Sequence, residues 1–437
     1  MNIDEIIDNI DSNNLNIAFG RVVNISAVTL TAVGLDVAVG DIVRIESVQK
    51  LYTVLGMVTV LNDDMFVIVP FSFIDGFKIN DKVFLQRDGL TIKCGNGLLG
   101  RVVNALGEPI DDLGKIRDLD TNAPINKESM SPLDRGIIDQ KFATGVKAID
   151  SMLTCGKGQK VGIFAGSGVG KSTLMGMIVK GCEATIKVIA LVGERGREIP
   201  EFIHYNLNNN LENTVIVTAT SDESPLMRKY AAFTAMSIAE YFRDKGHDVL
   251  LMMDSVTRFA MAQREIGLST GEPPVSRGYP PSVFALLPQL MERAGNSKKG
   301  SITAFFTVLV DGDDLNDPIA DQSRSILDGH IVLTRDLTEQ GFYPPINILK
   351  SASRVIDKVV TKEHYNDFLK LKRVLSLIKE NEVLIRVGAY KKGMDLELDS
   401  AIAKKEKARE FLTQGTLEKY SFDEIVANLR KVLIWYH

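Results

Sequence analysis

Three regimes of apolar spacing divide the chain. Ile3, Ile6, Ile7 and Ile10 recur at helical spacing and predict a short amphipathic helix within residues 1–12. From about residue 17 to 90 the apolar residues fall in short β-branched runs: Gly20–Ile25, Asp41–Ile45, Tyr52–Leu55 and Met65–Val69. Turn residues at Gly34, Gly40-Asp41, Asn62–Asp64 and Asp75-Gly76 separate them. Such punctuation predicts a small closed β-barrel over residues 1–90.

From about 91 to 355 near-continuous apolar runs alternate with helical segments. The predicted strands are Lys160–Phe164, Lys187–Val192, Asn213–Ala219, Asp248–Met253, Ile302–Val310 and His330–Leu333. Runs of this kind suit a mainly parallel sheet covered on both faces, an α/β core. Beyond 355 the strand pattern stops. Tyr365, Phe368, Leu371, Leu375 and Ile378 form one helical stripe. Ser421-Phe-Asp-Glu424 is a capping-box sequence opening another stripe: Phe422, Ile425, Val426, Leu429, Val432 and Leu433. Residues 356–437 therefore predict a helical domain.

Composition narrows the function classes. The 437 residues are 45% apolar and 24% charged, with a net charge of −5 and no low-complexity tract. That balance gives no general attraction to nucleic acid or anionic lipid. Three dispersed cysteines (Cys94, Cys155, Cys182) and five scattered histidines offer no zinc or Cys/His catalytic spacing. The acidic start, Met1–Asp11, is unlike a signal peptide, and no apolar run is long enough to span a bilayer. A cytoplasmic protein with reduced thiols and no transmembrane segment is expected.

The chemistry concentrates in Ala165-Gly-Ser-Gly-Val-Gly-Lys171-Ser172, set between the apolar run Val161–Phe164 and a helical pattern from Thr173. A strand, a glycine loop and a helix start are what a triphosphate needs. Backbone N–H groups of Gly166, Ser167, Gly168, Val169 and Gly170 can turn toward phosphate oxygens, with Thr173 at the helix start. Lys171 would neutralise the β- and γ-phosphates, and the Ser172 hydroxyl would ligate Mg²⁺. Ala165 stands where the strict pattern has glycine.

An apolar strand ending in Asp254, 83 residues beyond the lysine, supplies a carboxylate for the metal shell at the sheet's carboxyl edge. A second strand delivers Glu194, followed by Arg195, Arg197 and Glu198. Glu194 could hold the attacking water in line with the γ-phosphate. Glu198 is its rival, and a surface ion-pair cluster is an equal reading of the same four residues on spacing alone.

Phe164–Leu174, Gly193–Glu198 and Met253–Ala260 together resemble the rotary-ATPase superfamily. Gly278–Phe284, Leu309–Asp314 and Ser325–Leu333 extend the likeness, with Thr144–Asp150 and Gly388–Asp395 matching its linker and helical domain. The chain looks most like the flagellar and type III secretion export ATPases, relatives of the catalytic subunit of ATP synthase. The resemblance implies a RecA-like P-loop core hydrolysing Mg-ATP. It implies Glu194 as the catalytic carboxylate with Arg195 beside it, and Arg258 reaching the γ-phosphate. It further implies Tyr343 stacking on adenine and Arg354 as the finger inserted into the next subunit's site. Without it, Tyr343 reads as a core aromatic in a proline turn and Arg354 as a surface charge. It implies a homohexamer at the cytoplasmic face of the inner membrane. Its expected partners are stator-type and stalk-type export proteins, a membrane export gate, export substrates and chaperones.

Three functions share this core: an export ATPase, the catalytic subunit of a proton-translocating F- or V-type ATP synthase, and a ring-shaped RNA translocase. Residues 1–90 carry six basic against twelve acidic side chains, the wrong sign for binding a nucleic-acid strand. One chain holding both the catalytic set and Arg354 predicts a homomeric ring rather than one needing a second subunit type. The look of residues 154–164 and 268–284 favours flagellar over virulence-type export.

Overall fold

The computed structural model describes residues 18–47, 52–87, 89–310, 314 and 316–434. The isoleucine stripe of residues 3–10 and four members of the 311–315 segment lie outside the described residues.

Six strands form the first unit: β1 (Gly20–Ile25), β2 (Leu30–Val33), β3 (Ile42–Ser47), β4 (Tyr52–Asn62), β5 (Met65–Pro70) and β6 (Lys82–Gln86). They close in the order β1-β2-β5-β4-β3-β6, so neither edge is left unpaired. Alternate residues Val22, Leu30, Ala32, Val43, Ile45, Phe66, Ile68 and Val83 fill the interior. β2 and β6 are strands that apolar patterning alone does not single out.

The central sheet collects β7 (Val102–Val103), β8 (Lys160–Ala165), β9 (Ile186–Glu194), β10 (Thr214–Thr220), β11 (Asp248–Asp254), β12 (Ser301–Leu309), β13 (Gly329–Val332) and β14 (Ala352–Ser353). Their order is β14-β13-β8-β12-β11-β9-β10-β7, and a short strand at Gly295–Asn296 pairs with β12. The ladders from β13 to β7 are parallel, while β14 runs antiparallel at the edge. Parallel strands need covered faces. Along the chain the longer or site-bearing helices are α1 (Lys147–Met152), α2 (Lys171–Gly181), α3 (Pro225–Asp244), α4 (Val256–Ser269), α5 (Pro281–Met291), α6 (Pro318–Ile326) and α7 (Arg335–Glu339). α3 and α4 bury Phe233, Phe242 and Phe259 in one apolar layer that also takes Ile42, Met57 and Phe71 of the barrel. α1 and α2 lie in the opposite layer, with Ile149, Leu174 and Ile178.

That second layer continues into the C-terminal helices α8 (Lys362–Glu380), α9 (Glu382–Arg386), α10 (Leu396–Leu412) and α11 (Phe422–Ile434). Phe368, Leu371, Leu398, Phe411, Ile425 and Leu429 are its buried contacts. The capping box forms: Ser421 N donates to Glu424 Oε2 at 2.8 Å, and Glu424 N donates to Ser421 Oγ at 3.3 Å.

Cys94 and Cys155 are buried free thiols. Burial pushes Cys94 up to about 12 and raises Cys155 further. Among the described residues no helix is long and apolar enough to cross a membrane.

Candidate nucleotide site

β8 is buried along its whole length and ends at the glycine loop. Gly168 (φ +76°) and Gly170 (φ +97°) occupy left-handed conformations that a side chain would strain, and Gly170 caps α2. The Ser167 and Val169 carbonyls accept bonds from Arg335 Nη2 and Thr338 Oγ1, each at 3.4 Å. Those carbonyls are thereby held by α7, away from where an incoming polyanion would meet N–H donors. Ser172 and Thr173 are exposed at the first turn of α2, and Asn206 Nδ2 holds the Ser172 carbonyl at 2.5 Å.

The Lys171 ammonium lies 2.5 Å from Asp254 Oδ1 and 3.5 Å from Glu194 Oε1. Burial alone would lower its proton affinity, but the two carboxylates outweigh burial and hold it above the ordinary lysine range. Asp254 is almost fully buried at the end of β11. Its Oδ1 also accepts from Thr307 Oγ1 at 2.7 Å. Register explains the meeting: Met253 pairs with Phe306 of β12, so the next residue of each strand faces the same space.

Glu194 ends β9 one step past an irregularity between Val192 and Glu194 in the pairing with β10. Its side chain is 15% exposed. Burial pushes its carboxyl up to about 7; Lys171 opposes this and the charge of Asp254 adds to it. Gly193 (φ +70°) is needed here because a Cβ would meet Arg258 Cβ at 2.9 Å. Arg258, in the first turn of α4, thus passes directly over the β9 terminus. Its buried Nε has no hydrogen-bond partner, an unspent donor beside the site.

Arg195 turns outward. It is 69% exposed and pairs with Glu198 at 3.2 Å, so within one chain it does not join the Lys171 cluster. Tyr343 is 41% exposed. Its Cε1 lies 3.9 Å from where a Cβ on Gly170 would stand, which puts the ring beside the phosphate loop. Arg354 is far from that loop. Ser353 pairs with Gly329, and Gly329 with Val161, near the amino end of β8. The loop leaves the other end, about 13 Å away at ~3.3 Å per residue. Arg354 is exposed, and its Nη2 donates to Arg324 O at 3.3 Å.

Sequence reasoning missed Thr307, Arg335 and Thr338. Thr307 carried a signal, since a hydroxyl inside the buried run Ser301–Leu309 must find a partner. The short helix α7 that brings Arg335 and Thr338 to the loop left none. Among the described residues no group of three or more His, Cys, Asp or Glu side chains could hold a metal by itself.

A glycine loop on a parallel strand, with its lysine clasped by carboxylates from two neighbouring strands, defines a P-loop ATPase core. Residues 145–353 match the nucleotide-binding domain of the ATP synthase alpha/beta family, and residues 360–431 match the C-terminal domain of the type III secretion ATPase EscN. The flagellum-specific ATP synthase of Helicobacter pylori strain J99 is 57% identical over 416 residues, 95% of each chain. That of Bacillus subtilis strain 168 is 46% identical over 433 residues, 98% of each. The type 3 secretion system ATPase of Xanthomonas euvesicatoria is 43% identical, covering 95% of this chain and 94% of its own. The assembled ATPase EscN of enteropathogenic E. coli superposes with a TM-score of 0.90 at 45% identity, over 95% of this chain and 100% of that one. EscN is also known in complex with its central stalk EscO, with a TM-score of 0.88. The chain belongs to the family of flagellum-specific ATP synthases and type III secretion ATPases.

Proposed function

We propose that this ATPase works as a homo-oligomeric ring, a homohexamer, and spends Mg-ATP hydrolysis on flagellar protein export. The carrying observation is Lys171 held between Asp254 and Glu194 at the mouth of the glycine loop. A polyanion entering there meets the loop N–H groups, the α2 terminus and the lysine together. Ser172 and Asp254 offer a hydroxyl and a carboxylate, hard oxygen donors suited to Mg²⁺ that keeps several waters. When bound, that ion would neutralise phosphate charge. Glu194 is the group to orient and deprotonate water, and Arg258 brings its free Nε toward the γ-phosphate. Tyr343 offers a face to the base.

Arg354 lies at the wrong end of its own sheet to serve its own loop, which supports a finger acting on the adjoining copy. Losing such a group costs on the order of 10³–10⁵ in turnover. Arg195, turned to the surface and paired with Glu198, does not reach its own phosphate loop within one chain. Barrel, ATPase core and helical domain divide near residues 90 and 355 in this reading. The EscN–EscO assembly makes a stalk-type protein the first partner to test. A stator-type protein, chaperones and substrates, and the export gate at the cytoplasmic face of the membrane complete the picture. Flagellar relatives reach 57% identity against 43% for the Xanthomonas secretion protein, which favours flagellar over virulence-type export.

The test is a Glu194→Gln variant. It should keep ATP affinity by calorimetry and lose phosphate release. Undiminished turnover would remove Glu194 from the chemistry. Deleting the gene should abolish filament assembly; loss of effector secretion with filaments intact would move the assignment to a virulence system.

A further inference from the structure

We infer that Gln414 is a positioning residue for ATP: it clasps the helical domain to the base-facing side of the nucleotide pocket and so sets where Tyr343 stands. This rests on the reading of Tyr343 as the base-stacking group.

Gln414 follows α10 and is 3% exposed. Its backbone N donates to the Tyr343 carbonyl at 2.8 Å. Its side-chain Oε1 accepts from Lys147 N at 2.8 Å, at the opening of α1. Its Nε2 donates to Gly145 O at 2.9 Å and to Glu418 O at 3.1 Å. One planar amide therefore spends its acceptor and both donors on two segments, 145–147 and its own loop at Glu418, while its backbone holds a third at Tyr343. A buried amide satisfied in this way has a single orientation, because any rotation leaves polar atoms unpaired in the interior.

Of the segments it stitches, that of Tyr343 reaches the phosphate loop, and that of Gly145 braces the far end of α2. Gly145 (φ +74°) presses on Gly181, the last residue of α2, where a Cβ would meet Gly181 Cα at 2.9 Å. The Tyr343 ring lies against Gly170 at the other end of α2. A second tie reinforces the first: Arg409 Nη2, on α10, donates to Gln340 O at 2.9 Å. The segment 340–343 thus hangs from the helical domain at both ends. Thr338, just before it, bonds the loop carbonyl of Val169. A shift of α10 against the sheet therefore displaces the base-facing ring before it disturbs Lys171, Asp254 or Glu194.

The prediction is selective. In a Glu194→Gln background, ATP and inorganic tripolyphosphate, which has no base, are titrated by calorimetry. Gln414→Ala should weaken ATP roughly ten-fold and tripolyphosphate by less than about two-fold, the size expected for lost hydrogen bonds at a positioning site. Gln414→Glu keeps the acceptor for Lys147 but turns an oxygen toward the Gly145 and Glu418 carbonyls, so its loss of ATP affinity should be at least that of Gln414→Ala. If Gln414→Ala does not fold, Gln414→Met, which keeps the side-chain volume without the amide, carries the comparison. Equal losses for the two ligands would make Gln414 merely structural, and unchanged ATP affinity would overturn the clasp. Tyr343→Ala run in parallel separates the layers. A preference for ATP that survives Tyr343→Ala sinks the base-stacking reading and the clasp with it. A preference lost with Tyr343→Ala but kept in Gln414→Ala sinks the clasp alone.

Discussion

Glu194 sits 3.5 Å from a lysine, yet its carboxyl is pushed up to about 7, because burial and the neighbouring Asp254 charge together exceed the attraction of Lys171. A group of that kind is poised for proton transfer near neutral pH. In the role proposed for it, the active form is the carboxylate, which is depleted below about 7 and filled above it. The kcat/KM of hydrolysis should therefore rise as pH increases through that value and level off beyond it. A pH–rate profile flat between 6 and 8 would assign proton transfer elsewhere. Thr307 makes a second case. Its hydroxyl orients the buried Asp254 carboxylate at 2.7 Å. Thr307→Val should raise the Mg²⁺ concentration for half-maximal activity roughly ten- to a hundred-fold, as expected for removal of a group that orients a metal ligand. Magnesium titration of ATPase rate measures it. Lys171, Asp254 and Glu194 were legible from the sequence because each ends or follows a long buried strand. For Thr307 only the need for a partner was legible, and for Gln414 nothing was, since both roles depend on which strands and loops become neighbours.

Elements show the same division. The six sheet strands read from apolar runs lie within a residue or two of the observed Lys160–Ala165, Ile186–Glu194, Thr214–Thr220, Asp248–Asp254, Ser301–Leu309 and Gly329–Val332. Burial on both faces writes a continuous signal. β2 is only four residues long, and β6 mixes Lys82 and Gln86 with its apolar positions, so neither stood out. α10 escaped notice because Ala401, Ala408, Phe411 and Leu412 are its buried contacts within a run dominated by lysine and glutamate. The glycine loop is an element with its own test. Gly170 at φ +97° caps α2 in a conformation that costs a side chain ~1–2 kcal/mol. Gly170→Ala should lower the melting temperature and weaken ATP binding together. Gly341→Ala has open space around its Cβ and a similar φ of +70°. It should lower the melting temperature comparably, with a smaller effect on ATP. Calorimetric melting and nucleotide titration of both variants would expose any reversal.

At the scale of the molecule the decisive fact is direction. In a parallel sheet the phosphate loop leaves the carboxyl edge, whereas Arg354 follows an antiparallel edge strand back to the amino edge. One chain therefore carries the glycine loop and Arg354 at opposite edges of the sheet, and in the proposed reading the arginine serves the next copy's site. Such a surface pair can be satisfied head to tail, and head-to-tail contacts form a ring where the rotation per copy closes. Two inactive proteins, Lys171→Ala and Arg354→Ala, make the sharp test. Mixed in equal amounts before assembly, a neighbour pair with an intact lysine site on one copy and an intact arginine on the next arises at roughly a quarter of interfaces by random mixing. ATPase activity should return in the mixture, rise with total protein concentration, and vanish when the two are assayed apart. If the arginine served its own chain, no pairing of these variants could rebuild a complete site. The mixture would then stay as silent as its parts.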